Sequence, residues 1–528
     1  VKNSFFLVIP PQQKAPQRLK QFEAKALQRW IVELPTANPG LASRLIFDFL
    51  KEFNTIEMGF QLRLDALEEL RPSVLVIEDY LRSKLTKTSF PKEETDKKIL
   101  DVLVSIEREF TIGYWTALKE LTRRSVGWFQ GKSAALAIQR CIKGLNSIVI
   151  SHFIMGMPIP DWVWIDLHSL YKLSVTIKKE SAKVANDSEQ LHKASSPEEC
   201  YLQILLLSLA DPTGLMQKEI ALVYSFIESL AATLSLKQEP ITGLARQCLI
   251  LTDEDKPPHF QQEADNNKDL ATLYIDFTGL YKALANKEKW ISKAESRFSS
   301  LHLLKNNANK PSAELLDYLI QRWSGIDLQG ASFFSDRLDR YISIGLEPTH
   351  ELQDSSESTD TKDLEFLAQS ATDRLLSCVF QKTGVLSVGS LISFRKTGMP
   401  EHKRSLGIIN KLIVGKQNGK IEFGLQLLAA QPVAVTYHQM EDKETDKPQK
   451  ALFYIEKENE LEKGYIMTDT FILKEGDVVR LFMNNENFPI ALLNRKNVGL
   501  GYWQFECRRI AEKEKEKVET AKKGYDFI

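Results

Sequence analysis

The chain has 528 residues, 43% of them hydrophobic and 26% charged, with a formal net charge of -1. That length exceeds what one hydrophobic core usually organises, so several domains are expected. The near-zero charge gives no global drive towards nucleic acid or an anionic membrane, so such a role would have to rest on a local patch.

The opening run Phe5-Phe6-Leu7-Val8-Ile9 is stopped by Pro10 and Pro11. It lacks the length and cleavage site of a secretory signal and reads as a short strand or extended arm. From Ala15 to about Ser235 apolar residues recur at three- and four-residue steps, the signature of helices with one buried face. Asn38-Pro39 supplies a cap followed by proline at a first helical position. Leu62 to Leu85 carries a further apolar stripe, and a kink or break is expected at Arg71-Pro72. Helical stretches follow around Leu100–Leu121, Ala134–Phe153, Trp162–Ile177 and Cys200–Ala210. Asp211-Pro212-Thr213-Gly214 then turns the chain into a helix from Leu215 to Leu234. The longest apolar stretch, Ser147 to Pro160, is shorter than the roughly 18–20 residues a spanning helix needs, so no membrane span is predicted. No fixed period stands out, which favours a helical bundle over a solenoid.

Residues 1–240 therefore read as a helical domain and 241–330 as a small α+β intermediate segment. Within that segment Cys248–Thr252 and Leu273–Phe277 look like strands, and helical spacing returns through Trp290, Leu304 and Leu315–Trp323. Residues 351–362 are acidic, serine-rich and poor in apolar residues, as in a flexible loop. Past residue 374 the period drops to two. Ten strand candidates run from Leu375–Phe380 to Gly501–Arg508, and Asn418-Gly419 between two of them signals a hairpin. Many short strands closed by turns predict a barrel or sandwich over 331–510. The charged residues 511–528 read as a solvated helix or tail. The fold class expected is α+β multidomain: a large helical N-terminal region, the intermediate segment and a C-terminal antiparallel β-barrel.

The five cysteines, Cys141, Cys200, Cys248, Cys378 and Cys507, are scattered and form no CxxC or Cys/His cluster. They read as buried free thiols in a reducing compartment, with no disulfide framework or structural zinc. Phosphate loops, dinucleotide fingerprints, HExxH, GxSxG and EF-hand loops are all absent, so no enzyme class, metal or cofactor is indicated. His152 and His168 flank a Trp- and Met-rich stretch but read as packing residues. Paired carboxylates such as Glu68-Glu69 read as solvated charge. The chemically suggestive region is basic: Arg395, Lys396, Lys403, Arg404, Lys411, Lys416 and Lys420 against Glu401. Upstream, Arg337 and Arg340 precede the strand-like Tyr341–Gly345, and guanidinium groups so placed suit phosphates and purine faces.

This arrangement resembles the PilZ domain, a bacterial β-barrel that binds the second messenger cyclic di-GMP. The resemblance implies an arginine pair before the first strand, met here by Arg337 and Arg340 at a spacing one residue short of that family's RxxxR. It also implies a D/N-x-S-x-x-G motif, whose place is taken by Gln381-Lys382-Thr383-Gly384. The strands Val388–Arg395, Leu406–Asn410 and Ile421–Leu428 match the family's barrel text more closely. Leu34–Gly40, Trp164–Tyr171 and Leu206–Pro212 resemble bacterial proteins that place a helical region before a PilZ-like domain. What the resemblance implies is a cytoplasmic, non-catalytic effector that binds cyclic di-GMP through Arg337, Arg340, Gln381, Thr383 and Gly384, with Arg395 or Arg404 assisting. A protein partner would be met through the helical region, and a homo-oligomer is compatible. The alternative is an interaction scaffold whose altered barrel binds no nucleotide. Nucleic-acid binding is disfavoured because no aromatic ladder interleaves the basic residues.

Overall fold

Cap chemistry and apolar spacing set the N-terminal helices in the computed structural model of the chain. It describes residues 5–123, 130–185, 194–262, 271–294, 296–299, 310–326, 331–354, 363–417, 419–440, 447–458 and 461–511. The helices are α1 (Ala24–Val32), α2 (Pro39–Phe53), α3 (Phe60–Leu85), α4 (Glu94–Thr122), α5 (Gly131–Met155), α6 (Val163–Thr176), α7 (Pro197–Leu209) and α8 (Gln217–Glu228). The Asn38 side chain accepts a hydrogen bond from the Leu41 amide at 3.2 Å, and Pro39 takes the first position of α2. Ser196 and Glu199 close a reciprocal capping box at the start of α7. The opening segment is an arm, with the amides of Phe6 and Leu7 donating to Asp166 on α6.

The break expected at Pro72 does not occur. Helix α3 runs through it, because Leu67, Leu70, Val74 and Ile77 continue one buried face on both sides. Packing of that face outweighs the loss of one backbone hydrogen bond. Helices α4 and α5 approach closely where Gly144 meets Thr111, since a Cβ on Gly144 would stand 2.0 Å from the Thr111 hydroxyl.

The intermediate segment contributes β2 (Arg246–Leu251), β3 (His259–Gln262) and β4 (Thr272–Asp276) to an antiparallel sheet completed by β1 (Ser235–Lys237) just before it, in the order β1-β4-β2-β3. It also carries α9 (Thr278–Leu284) and α10 (Ala313–Trp323). Cys248, Ile250, Ile275, Leu315 and Trp323 join the same apolar core as the helices. Trp323 is fully buried and donates its indole N–H to the Leu206 carbonyl at 3.0 Å. The segment thus completes the helical core.

The ten period-two strand candidates are all present, and with two earlier strands they close into two barrels where the sequence suggested one. The first holds β5 (Arg340–Ile344), β6 (Phe366–Ser370), β7 (Leu375–Val379), β8 (Leu391–Lys396), β9 (Ser405–Val414) and β10 (Lys420–Ala429), ordered β10-β7-β6-β5-β8-β9, with α11 (Leu346–Gln353) inserted after β5. The second holds β11 (Val433–Gln439), β12 (Gln449–Glu458), β13 (Leu461–Thr468), β14 (Val478–Met483), β15 (Glu486–Gly499) and β16 (Tyr502–Arg509), ordered β11-β12-β13-β16-β15-β14. Its core is built from Val435, Tyr437, Ile466, Leu481, Leu492 and Phe505.

Of the loop expected at 351–362, Glu351–Gln353 are the end of α11, and 355–362 lie outside the described residues. Asn418 and most of the expected tail, 512–528, also lie outside them; Gly419 has the left-handed φ of 73° that such a hairpin requires. The chain divides into two compact units, Val1–Arg337 with Gln369–Gly389 and Ile409–Leu425, and Leu338–Ala368 with Ser390–Ile408 and Gln426–Ile528. This division passes along β6, β9 and β10 and does not follow borders at 240 and 330.

Candidate functional site

Strand register brings three arginines to neighbouring positions in the second unit. On the antiparallel pair β5 and β8, Arg340 stands opposite Lys396, Tyr341 opposite Arg395 and Ser343 opposite Ser393. Arg404 immediately precedes β9, whose Ser405 pairs with Phe394 of β8. The centre of this group is Glu365, just before β6. Arg395 grips it in a fork, with Nε to Oε1 at 2.8 Å and Nη2 to Oε2 at 2.5 Å. Arg404 adds Nη1 to Oε1 at 3.0 Å. The side chains of Arg395, Arg404 and Glu365 are 9%, 0% and 8% exposed, so water screens the ion pairs little.

Remaining donors of the cluster are mostly used. Arg395 also donates to the Met399 carbonyl at 2.6 Å, and its guanidinium lies 4.5 Å from the centre of the Tyr341 ring. Arg404 donates through Nε to the Ser393 hydroxyl at 2.8 Å and through Nη1 to the Glu401 carbonyl at 3.0 Å. Its Nη2 is buried without a partner, as is the hydroxyl of Ser343, which is fully buried across from Ser393. Burial pulls the Arg404 guanidinium below its ordinary pKa, against the attraction of Glu365. The hydrogen bonds to Glu365 hold Arg395 above its own. Two guanidinium groups thus share one carboxylate. Chemically, the arrangement holds one oxyanion, the Glu365 carboxylate, between two guanidinium groups, one of which stacks on the Tyr341 ring.

The other expected site residues are placed differently. Arg340 is 3% exposed and donates to the Leu338 carbonyl at 2.5 Å, so it is part of the barrel wall and not a free clamp. Arg337, in the other unit, is exposed, adopts a left-handed φ of 55° and donates to the Ala371 carbonyl at 3.2 Å. Gln381, Thr383 and Gly384 form an exposed turn after β7, where the Gly384 amide donates to the Pro91 carbonyl at 2.9 Å and Thr383 bonds Glu93 at 3.4 Å. Ala371 precedes β7 and the turn follows it, so the length of that strand, about 17 Å, separates the anchor of Arg337 from Gln381–Gly384. The structure does not bring these two halves of the expected motif together. Of the wider basic stretch, Lys411 pairs with Asp211 and Lys420 with Glu422.

Sequence reasoning missed Glu365, Tyr341 and Ser343. Glu365 follows an acidic run and looks like one more solvated charge. Its only signal is its place just ahead of a short strand that the sequence did not reveal. His168 is a packing residue, as its sequence context suggested. His168 lies between the Tyr201 hydroxyl at 2.6 Å and the Lys256 carbonyl at 2.9 Å, with burial pushing its pKa down to about 4. Cys141, Cys200, Cys248 and Cys378 are buried free thiols. Among the described residues no group of acidic, His and Cys side chains has a metal-binding arrangement, and no helix is long and apolar enough to cross a membrane.

The class this geometry defines is a helical region joined to β-barrels that carry a buried arginine–carboxylate cluster. Residues 25–240 match the family model for the N-terminal domain of the cyclic-di-GMP receptor FimW. The chain is also similar to a particular protein, the cyclic-di-GMP receptor FimW of Pseudomonas aeruginosa, with 25% identity over 303 residues, covering 57% of this chain and 48% of that one. The chain therefore spans about half the length of the curated relative it matches. No solved structure matches.

Proposed function

We propose that the chain is a signalling effector, non-catalytic and cytoplasmic, that binds cyclic di-GMP and passes the event to a protein partner through its helical region. The similarity to a cyclic-di-GMP receptor supports the ligand class. The observation that carries the location is the fork of Arg395 and Arg404 around Glu365, the planar donor set that a phosphodiester oxygen pair requires. In this reading the PilZ-like first barrel takes a phosphate at Arg395 and Arg404, and Tyr341 offers a face for a guanine base. Ordering of ligand against the barrel is a local charge event of the kind that biases a partner surface.

Titration of labelled cyclic di-GMP against wild type and R395A tests the location. Binding that falls at least tenfold in a folded R395A chain supports it, whereas unchanged binding moves the ligand elsewhere. A second reading, a scaffold that binds no nucleotide, draws on the same Glu365, because its carboxylate already neutralises one of the two arginines. Partner capture that is indifferent to cyclic di-GMP and to R395A favours that reading.

A further inference from the structure

We propose that Glu365 is a built-in competitor: its carboxylate occupies the phosphate position between Arg395 and Arg404 and must swing out before an anionic ligand enters. The inference rests on the reading of this cluster as the cyclic-di-GMP site.

Four observations carry it. Glu365 accepts three hydrogen bonds from two guanidinium groups, a geometry shared by carboxylate and phosphate. Two guanidinium groups converge on Glu365 while Glu401 acts on both from nearby, so the cluster is close to neutral as it stands and admits a further anion once the Glu365 carboxylate has left. Arg404 is fully buried at its side chain, yet its Nη2 has no partner among the described residues, which is costly for a charged donor. Around it lies a buried polar lining in which Ser393 accepts from Arg404 at 2.8 Å and from Thr349 at 2.9 Å, while the Ser343 hydroxyl opposite is unpartnered.

The functional consequence is a weakened apparent affinity. A tethered carboxylate competes at high effective concentration, so the ligand concentration that half-fills the site is raised by the fraction of time the site is closed. The same ligand that displaces Glu365 frees a negative charge at the start of β6, which changes what that edge of the barrel presents.

The test compares wild type, E365Q and E365D by isothermal titration with cyclic di-GMP, and by melting temperature with and without sodium pyrophosphate. Gln keeps the shape but not the charge, while Asp keeps the charge on a side chain too short to fork both arginines. Expected is an affinity at least tenfold tighter in E365Q, an intermediate gain in E365D, and a rise in melting temperature with pyrophosphate that is larger in E365Q than in wild type. If E365Q is too unstable to titrate, recovery of its folding by pyrophosphate and the gain in E365D decide the matter. Wild-type binding with equal or weaker binding by both variants overturns the competitor role and leaves the cyclic di-GMP reading standing. No binding of cyclic di-GMP by any folded variant overturns that reading, and a pyrophosphate effect confined to the variants would then still support Glu365 as the resident anion. Failure of both arms overturns the proposal outright.

Discussion

Within the helical region the buried carboxylates of Glu78 and Glu107 and the exposed one of Asp79 crowd the single guanidinium of Arg82, and that imbalance predicts an unusual pH dependence. Arg82 of α3 donates to Glu107 of α4 at 2.7 Å, and Glu78 lies one turn before it on α3. Glu78 and Glu107 are 4% and 1% exposed, and the second oxygen of Glu107 is buried without a partner. Burial pushes the Glu78 carboxyl up from the ordinary 4.5 to about 7, opposed by Arg82 and reinforced by the negative charge of Asp79. Glu107 is driven in the same direction, first by burial and then by Glu78.

The sign follows from linkage. A folded-state pKa above the unfolded one means that the folded protein holds the extra proton between the two values. The stabilising contribution is complete below about 4.5 and is lost as pH rises through about 7. At about 1.4 kcal/mol per pH unit, the loss attributable to Glu78 is about 3 kcal/mol. Replacing Glu78 by Gln keeps the shape and removes the titration. Urea unfolding followed by far-UV circular dichroism at pH 5 and pH 8 measures the difference. E78Q is expected to equal wild type near pH 5 and to be more stable by about 2–3 kcal/mol at pH 8. A variant that is destabilised by the same amount at both pH values would refute the reasoning, because Glu78 would then be a charged partner of Arg82.

Two further predictions concern packing and ion pairs in the same region. Arg140 forks Glu68 at 2.9 and 2.7 Å while Tyr114 donates to the same carboxylate at 2.6 Å, so R140M strands a buried charge and should cost about 3–5 kcal/mol in denaturant unfolding; a cost below about 1 kcal/mol contradicts the burial argument. G144A should destabilise by about 1–3 kcal/mol despite the better helix propensity of alanine, because its methyl meets the Thr111 hydroxyl, and adding T111A should recover most of that loss; a G144A chain that melts higher than wild type would show that the helices separate freely.

Much of this fold is local information. The helices from α2 to α8 are written in apolar spacing and caps such as Asn38 and Ser196, and the strands from β7 to β16 in two-residue alternation. What was not legible depends on distant pairing. Whether alternating strands make one barrel or two is decided by closures such as Thr436 against Phe482, far apart in the chain. Strand β6 was missed because it is five residues long and only Ala368 within it is buried. Pro72 misled because a local rule was outweighed by the buried face on either side of it. For the site, the basic character near Arg395 and Arg404 was visible, since charge is carried by single residues. Exposure was not visible: Arg340 and Arg404 are interior, and Arg337 sits a strand's length from the turn it was expected to join. Glu365 was invisible because an acid acquires its meaning only from the arginines that closure of the barrel brings to it.

Binding of cyclic di-GMP is the decisive property of this chain. Isothermal titration of the folded wild-type chain with cyclic di-GMP, repeated with R395A, tests it most directly. Saturable binding to wild type, weakened at least tenfold in R395A, is the predicted result. No heat at high micromolar cyclic di-GMP from a folded sample would contradict it.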